Sequence, residues 1–417
     1  MGSANSKTIQ AEGFVAPGFE SVKQMFENNF QRGADESSQL CVYVGEEKVV
    51  DLWFSTTNTT FTGDTLINVF SSTKSLTAIA MAALVDKGVI KYSDKIATHW
   101  PEFGQKDKGD ITIADLMRHE AGLANFDAPF DASCTLRENI KQNAMGEIIA
   151  KQSCFYPEGT KREYHSLSRG WIANEIFRRA HPAGKTLGEY LQEEVNTPLL
   201  ADVFVGVPDS RFDDYAPVID LNFKAVLSGC LNPMNTSVDT DLGKMMGMMN
   251  MLRKYNKDGR NKEAFLPFDG KKIAQVGAMF NQPVVRKGES SSANGNCSAR
   301  GLAKVAAAMA NGGSLNGVQV LSPSAWDSLH ANPTKEPIFG MPINFTQGGL
   351  GKFEEMAGFD VEGYYGWMGY GGSIFQWHPQ LKVGFAFTCT MLHWYDMQNS
   401  RGRTLQSEVL KCVKNRK

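Results

Sequence analysis

The sequence lacks a long apolar segment and an excess of charge of either sign. Its longest weakly polar run, Leu76 to Val85, falls well short of the about 20 residues that a helix needs to cross a bilayer. The 417 residues include 43 Lys and Arg against 45 Asp and Glu, which gives a formal net charge of −2. We therefore expect no transmembrane helix, and no nucleic acid as a partner, because nucleic-acid binding needs a basic surface.

Cysteine and histidine patterns that are typical of metal sites are also absent. The seven cysteines are scattered and form no CxxC pair, which disfavours a disulfide framework and a zinc site and favours a reducing compartment, the cytoplasm. No HxH or HExxH spacing occurs, so neither a metal nor another cofactor is expected. The Gly-x-Ser-x-Gly turn that carries the nucleophile of α/β-hydrolases is missing as well.

The first seven residues, Met1 to Lys7, fit the MGxxx[ST] pattern for myristoylation of Gly2, with Ser6 at the required position. The alternative is an unmodified tail that happens to begin with Met-Gly-Ser. A single myristoyl chain binds membranes only marginally, and neither a nearby cysteine nor a polybasic patch supplies a second signal. A peripheral membrane role through Gly2 would therefore be weak and reversible, and residues 1–11 are expected to form a flexible tail.

Two kinds of hydrophobic periodicity divide the chain. Period-two alternation at Gln39–Gly45 and Lys48–Phe54, joined by a tight turn, predicts a β-hairpin, and strands return at Ser373–Trp377 and Val383–Thr390. The long stretch between these strand regions mostly favours helix. The clearest predicted helices are Phe19–Phe30, Ser72–Lys87, Trp171–Arg179, Leu187–Glu194, Asp241–Tyr255, Ala299–Ala310 and Ser400–Lys414.

Strands at both ends of the chain and helices between them predict an α+β fold. One antiparallel sheet would be built from both termini and flanked by helices. We expect two domains. Residues 12–91 and 330–417 would form a discontinuous sheet domain, and residues 92–329 would form a mostly helical inserted domain.

A serine and a lysine stand together where the apolar run Leu66–Phe70 passes into a predicted helix. Ser71 is the only serine in the chain with a lysine, Lys74, three positions on. Residues at this spacing share one face of a helix, so the amine can reach the hydroxyl. A lysine can take the serine proton only if burial or neighbouring charges depress its pKa toward neutrality. The alternative interpretation is a helix-capping serine beside a solvated lysine.

Two further segments complete a known order of motifs. Ser71-x-x-Lys74, Tyr164-His165-Ser166 and Trp367-Met368-Gly369 together resemble the three active-site elements of serine β-lactamases of the AmpC type, which penicillin-binding DD-peptidases and family VIII carboxylesterases share. The resemblance runs from about residue 12 to residue 390 and includes the eukaryotic β-lactamase domain-containing branch. The flanking segments that agree with the family are Gly13–Val15, Asp51–Trp53, Leu116–Leu123, Pro157–Thr160, Ser298–Ala303 and Asn311–Gly313.

The resemblance implies a β-lactamase/DD-peptidase-like fold and a role for each matching residue. Ser71 would be the acylated nucleophile, Lys74 the base that activates it, and Tyr164 a second proton-transfer group. Near a cationic lysine the phenol pKa of Tyr164 would fall. The backbone N–H groups of Ser71 and Tyr370 would form an oxyanion hole. The alternative for Tyr164 is a core tyrosine with no catalytic role. The alternative for Gly369 and the glycines after it is a strand whose glycines merely permit close packing.

Two departures from the family concern the substrate. Trp367 stands where the family usually has Lys or His, and an indole cannot bind the carboxylate of a penicillin or a D-alanyl peptide. Ser166 stands where the bacterial enzymes have Asn. Both changes favour an ester or thioester with an uncharged, apolar acyl group. Trp367 and Tyr370 would then wall the substrate-binding cleft, beside Ser166 and Gly369.

The two histidines near these motifs are given no catalytic role. His119 is interpreted as structural, hydrogen-bonded at a helix end, and His165 as a residue that lines the cleft.

The sequence thus predicts a serine hydrolase that forms an acyl-enzyme on Ser71. Its substrate would be a small-molecule ester or thioester, and its activity that of a carboxylesterase or an acyltransferase. Two alternatives stay open: a β-lactam or D-peptide hydrolase, and a catalytically silent scaffold that retains the fold. Retention of Ser71, Lys74 and Tyr164 together argues against a scaffold. The sequence gives neither the oligomeric state nor the acyl acceptor.

Overall fold

Strands from the two ends of the chain meet in one sheet of nine strands in the computed structural model of the protein. The structure describes residues 9–126, 130–156, 161–221, 246, 250, 276–338, 341–354, 356 and 358–416. The strands in these ranges are β1 (Glu12–Val15), β2 (Ser37–Val44), β3 (Glu47–Ser55), β4 (Ile67–Asn68), β5 (Val203–Val205), β6 (Ile219–Asp220), β7 (Gly295–Cys297), β8 (Ser314–Leu315), β9 (Val318–Gln319), β10 (Thr334–Ile338), β11 (Met341–Phe345), β12 (Gly351–Lys352), β13 (Tyr365–Met368), β14 (Ile374–His378), β15 (Val383–Cys389) and β16 (Met391–Leu392).

The nine strands follow the order β1-β3-β2-β15-β14-β13-β12-β11-β10, and all neighbours are antiparallel. The two ends of the chain join where β2 pairs with β15, with Leu40 opposite Phe387. This arrangement confirms the predicted α+β fold with a sheet built from both termini. A second, three-stranded sheet has the order β4-β7-β5.

Helices cover the sheet and fill the middle of the chain. The described helices are α1 (Glu20–Gln31), α2 (Thr73–Asp86), α3 (Ile96–His99), α4 (Ile113–Met117), α5 (Arg137–Lys141), α6 (Ala144–Ala150), α7 (Ser168–Ala180), α8 (Leu187–Tyr190), α9 (Thr197–Leu199), α10 (Val276–Phe280), α11 (Pro283–Lys287), α12 (Ala299–Ala310), α13 (Pro323–His330) and α14 (Ser400–Asn415).

Alternate residues of β2 point to opposite faces of the sheet, and each face has its own helices. Leu40 and Val42 join a core that includes apolar residues of α1 and α14, whereas Cys41 and Tyr43 join the core that includes α12. Helix α12 packs across β2, β14 and β15. The predicted boundary at residue 330 had assigned this helix to the inserted part, and the division into two domains stays a prediction.

Helix α2 is buried along nearly its whole length, from Thr73 to Leu84. Its many alanines have high helix propensity and let neighbouring elements approach closely. A helix that is apolar on all sides must lie in a core, and α2 packs against α7, α13 and the end of β13. This packing fixes the N-terminal end of α2, where Ser71 and Lys74 stand, against the sheet.

The predicted hairpin and the predicted helices in the described ranges are confirmed to within a few residues. The predicted helix Asp241–Tyr255, apart from residues 246 and 250, lies outside the described residues, as do the Pro157–Thr160 motif and Gly2. None of the helices in the described ranges is long and apolar enough to span a membrane.

Candidate active site

Ser71 stands on a tight turn between β4 and α2. The residue before it, Phe70, has a positive φ of 44°, which costs free energy for a residue with a side chain. The turn is held because the Phe70 N–H donates to Asn68 Oδ1 at 2.8 Å and the Ser72 N–H donates to Val69 O at 3.1 Å. The Phe70 ring also packs edge-on against Tyr370, with centroids 5.6 Å apart. Tertiary contacts thus impose the turn that presents the Ser71 hydroxyl.

The amine of Lys74 lies between the Ser71 hydroxyl and two backbone carbonyls. Lys74 Nζ is 3.2 Å from Ser71 Oγ, 2.7 Å from Ser166 O and 3.0 Å from Ser292 O. The side chain is buried, with 1% of its surface exposed. Burial, and secondarily the Arg169 cation, lower the pKa of the Lys74 amine well below its ordinary value of 10.5.

These three neighbours suit an uncharged amine. A neutral –NH₂ group has two N–H donors and one lone pair. The carbonyls of Ser166 and Ser292 accept from two N–H groups of the amine. Ser71 Oγ accepts from a third N–H when the amine is protonated, and once that proton is lost the lone pair faces the Ser71 hydroxyl. An amine held in this way can accept the proton of Ser71.

The Ser292 carbonyl is positioned by contacts between the segment 290–292 and α7. The Gly170 N–H donates to Ser292 Oγ at 2.7 Å, and Ser291 Oγ donates back to Gly170 O at 2.9 Å. The Trp171 indole donates to Ser290 Oγ at 2.9 Å. A Cβ at Gly170 would overlap the backbone nitrogen of Ser292, so a glycine is needed for this close approach.

Tyr164 is buried beside Ser71. Its hydroxyl accepts a hydrogen bond of 2.9 Å from the Trp367 indole N–H, and its ring centroid lies 4.8 Å from Lys74 Nζ. Burial raises the pKa of Tyr164 above its ordinary value of 10, and hydrogen bonds with Ser71 and Trp367 offset only part of this effect. The predicted fall in the Tyr164 pKa is therefore wrong, because Lys74 is itself buried and disfavoured as a cation. Tyr164 is a phenol rather than a phenolate.

The end of β13 comes close to the Ser71 turn. A Cβ at Gly369 would collide with Val69 O, so this strand end can reach the turn only as glycine. Ser373 Oγ donates to Val69 O at 2.7 Å and lies 3.0 Å from Ser72 Oγ. In the described turns and loops, neither the Ser71 N–H nor the Tyr370 N–H donates to a backbone acceptor, and their role as an oxyanion hole stays a prediction.

The four residues predicted to bind substrate lie around this turn in different environments. Ser166 is exposed and gives Lys74 its carbonyl, whereas Trp367 is 5% exposed and packs against Phe345 with ring centroids 4.8 Å apart. Tyr370 follows Gly369 and is partly buried. Their contacts with a substrate stay predictions.

The two histidines belong to the supporting structure. His119 directly follows the end region of α4, is fully buried, and accepts a 3.0 Å hydrogen bond at Nδ1 from the His165 N–H. His165 is also fully buried, and its Nε2 accepts from the Leu123 N–H at 3.1 Å. The prediction that His165 lines the cleft is therefore wrong: its ring holds the loop after α4. Burial lowers the pKa of His165 to about 4.

Sequence reasoning missed three contributors to the site. Ser292 acts through a backbone carbonyl, which no residue type signals. Asn399 donates from Nδ2 to Gly369 O at 2.8 Å and to Ser373 O at 2.9 Å, from a distant part of the chain. Arg169 lies in the first turn of α7, five positions after Tyr164, but no pattern marks it, because the same helix also carries Glu175, Arg178 and Arg179.

No group of three or more His, Cys, Asp or Glu side chains is placed to hold a metal ion in the part of the chain that the structure describes.

Comparison with known proteins agrees with this geometry. A family model described as Beta-lactamase matches residues 23–408. The chain belongs to the Beta-lactamase family. It is 26% identical over 394 residues to the esterase/beta-lactamase LipL of Mycobacterium tuberculosis, with 90% of this chain and 81% of that protein covered. A shorter match, 25% identical over 159 residues, covers 37% of this chain and 39% of a beta-lactamase of Escherichia coli.

Solved structures of the family have the same fold. A family VIII carboxylesterase is 25% identical with a TM-score of 0.77, and the match covers 97% of this chain and 100% of that one. EstA of Arthrobacter nitroguajacolicus Rue61a is 24% identical with a TM-score of 0.74, over 97% of this chain and 99% of that one. The predicted family and the predicted enzyme class are confirmed: this member of the Beta-lactamase family is a serine hydrolase.

Proposed function

We propose that the protein cleaves an uncharged carboxylic ester or thioester through an acyl-enzyme on Ser71. The observation that carries this proposal is the buried Lys74 amine, which lies 3.2 Å from Ser71 Oγ with its other two positions on backbone carbonyls. The relatives that are called an esterase/beta-lactamase and a carboxylesterase support an ester substrate.

In the first step Ser71 Oγ attacks the carbonyl carbon of the ester as its proton passes to Lys74. The backbone N–H groups of Ser71 and Tyr370 stabilise the oxyanion that forms. The C–O or C–S bond to the leaving group then breaks. Tyr164, a protonated phenol next to Ser71, is placed to give the leaving oxygen or sulfur its proton. The proton on Lys74 passes to the Tyr164 oxygen, which restores the neutral amine and the phenol. Water or an alcohol then attacks the acyl carbonyl carbon as its proton passes to Lys74, the bond to Ser71 Oγ breaks, and Ser71 Oγ takes the proton back from Lys74.

An uncharged acyl group fits the charges around Ser71. Lys74 is disfavoured as a cation, and the indole of Trp367 stands at the position where many relatives have a cation. The Trp367 N–H is already engaged by Tyr164. No free cation of the described site is therefore available for a substrate carboxylate.

Turnover of p-nitrophenyl butyrate tests the proposal. We expect the wild type to release p-nitrophenol and the Ser71→Ala variant to lose this activity to the background rate. The matched control is Ser75→Ala, one helical turn further on. The Ser75 hydroxyl is buried and has no hydrogen-bond partner in the part of the chain that the structure describes, so its removal should leave turnover close to that of the wild type. Equal turnover in Ser71→Ala and the wild type would refute the assignment.

A β-lactam or D-peptide hydrolase is the second candidate, favoured by the two relatives that carry beta-lactamase in their names. It requires recognition of a carboxylate, which Trp367 does not provide. We therefore expect kcat/KM for nitrocefin to be far below that for the p-nitrophenyl ester. Comparable values for the two substrates would favour this candidate instead.

A further inference from the structure

Arg169 is a buried cation without a carboxylate partner. It is the second residue of α7, and none of its surface is exposed. Among the other buried arginines of the described residues, Arg162 and Arg401 pair with Glu120 and Asp35, whereas Arg286 and Arg403 have no ion pair. Arg169 forms no ion pair with any described residue, and its Nε has no hydrogen-bond partner. Burying a charge without a counter-ion costs free energy, so its presence beside the candidate active site calls for a reason.

The guanidinium is held by backbone carbonyls of three segments. Nη2 donates to Lys74 O at 2.9 Å, and Nη1 donates to Met117 O and to Gly349 O, both at 3.1 Å. Gly349 has a φ of 86°, and a Cβ there would press on Met117 O and on Arg169 Nη1. Arg169 therefore has one fixed position, directly behind the helix turn that carries Lys74.

The other groups that face this position carry little charge. Burial lowers the pKa of His119 well below its ordinary value and that of His165 to about 4, so both rings are neutral near pH 7. Tyr164 is a phenol, and the charge of Arg162 is balanced by Glu120. Burial lowers the pKa of Arg169 only to about 10, so its guanidinium stays charged. It is the unbalanced positive charge behind the reacting groups.

We propose that Arg169 is a positioning residue whose fixed positive charge disfavours a second cation at Lys74 and favours negative charge on the Tyr164 oxygen. The charge keeps the Lys74 amine ready to take the Ser71 proton, and it supports the Tyr164 oxygen while that oxygen gives its proton to the leaving group. This inference rests on the proposed function, in which Lys74 is the base.

The test is the pH dependence of kcat/KM for p-nitrophenyl butyrate in two neutral variants, Arg169→Gln and Arg169→Met. The glutamine keeps amide donors for the carbonyls, and the methionine keeps much of the volume, so that failure of one variant to fold leaves the other. The rate should rise with pH as Lys74 loses its proton. Without the guanidinium, Lys74 holds its proton to higher pH, and at an effective dielectric constant of about 20 the acid limb should move up by about one pH unit.

Below the wild-type midpoint this shift corresponds to about tenfold lower kcat/KM than in the wild type, with recovery toward the wild-type value at high pH. Arg178→Gln on the same helix is the matched control, because Arg178 pairs with Glu175. Its acid limb should stay at the wild-type pH.

A merely structural role for Arg169 would lower kcat/KM by the same factor at every pH and leave the midpoint unmoved, and that result would overturn the inference. The proposed function fails separately, if wild-type turnover does not depend on Ser71. An unmoved limb in a Ser71-dependent enzyme would overturn only the role of Arg169.

Discussion

Burial decides the chemistry of the side chains around Ser71. It lowers the pKa of the Lys74 amine and raises the pKa of the Tyr164 phenol, so burial favours the neutral form of both groups. A neutral amine is a base and a neutral phenol is an acid. Lys74 is therefore suited to take the proton of Ser71, and Tyr164 is suited to give a proton to the leaving group.

Trp367 offers a test of how the phenol is held. In Trp367→Phe the N–H that donates to Tyr164 is lost while an aromatic ring stays. A neutral hydrogen bond contributes about 1 kcal/mol, so we expect about fivefold lower kcat/KM for an ester, with KM little changed. The measurement is a double-mutant cycle with Tyr164→Phe, in which Trp367→Phe should have no further effect once the phenol oxygen is absent.

If Trp367→Phe instead lowers kcat/KM equally in both backgrounds, the indole acts on the substrate rather than on Tyr164. That outcome would favour the prediction, made from the sequence, that Trp367 walls the acyl group.

At the scale of single residues, the sequence predicts which side chains come together at Ser71 better than it predicts their pKa values and charges. The spacing of Ser71 and Lys74 predicts their contact, which the structure places at 3.2 Å. The pKa of Tyr164 could not be predicted, because it depends on whether Lys74 carries a charge, and that depends on burial. Arg169 lies outside the motifs, and its role depends on carbonyls from three separate segments.

Close packing of helix α7 on the segment 290–292 is the element-scale contact on which the Lys74 amine depends. Gly170 permits it, since any side chain there would overlap the backbone of Ser292. The contact sets the Ser292 carbonyl at 3.0 Å from Lys74 Nζ. At residue 170, helix propensity therefore favours alanine over glycine, whereas the packing against Ser292 requires glycine.

The Gly170→Ala substitution separates these demands. Propensity alone would stabilise the helix by about 1 kcal/mol. We expect the clash with Ser292 to win, so that the melting temperature falls by several degrees and kcat falls with it as the Ser292 carbonyl is displaced. The control is Gly146→Ala in α6, where a Cβ would meet only the side-chain ends of Asn143 and Arg179, which can move. A melting temperature of Gly170→Ala at or above that of the wild type would contradict this account.

Elements with strong local patterns could be predicted from the sequence. The alternation of β2 and β3 and the long apolar helix α2 are examples. The pairing of β2 with β15 could not, because it joins residues more than 300 positions apart and no local pattern encodes it. The same holds for Asn399, which fixes the strand end at Gly369 from the start of α14.

Buried histidines give the whole molecule a characteristic response to acid. Burial lowers the pKa of His165 and of His330 to about 4, and lowers the pKa of His119 and of His393 well below its ordinary value. Because these pKa values are below the ordinary 6.5, the unfolded chain binds more protons between about pH 6.5 and pH 4. Acidification through this window therefore favours unfolding.

We expect the free energy of unfolding, measured by urea denaturation, to be lower at pH 4.5 than at pH 7.5. Each of His165 and His330 should contribute about 3 kcal/mol by pH 4. Burial raises the pKa of the carboxyls Asp35 and Asp220 to about 6, which acts in the opposite direction, but the four histidines outweigh these two groups. Equal or higher stability at pH 4.5 would contradict the assignment of these histidines as buried and neutral.

The central claim is that Ser71 is the residue that becomes acylated, with Lys74 as its base. The most direct measurement is intact-mass spectrometry with peptide mapping after reaction with a fluorophosphonate, which leaves a stable phosphonyl group on an activated serine and releases fluoride. We predict one added group, on the peptide that contains Ser71, in the wild type and in Ser75→Ala. Lys74→Met should react at least about a hundredfold more slowly, and Ser71→Ala should gain no mass. Modification of a different residue, or an equal mass gain in Ser71→Ala, would contradict the account.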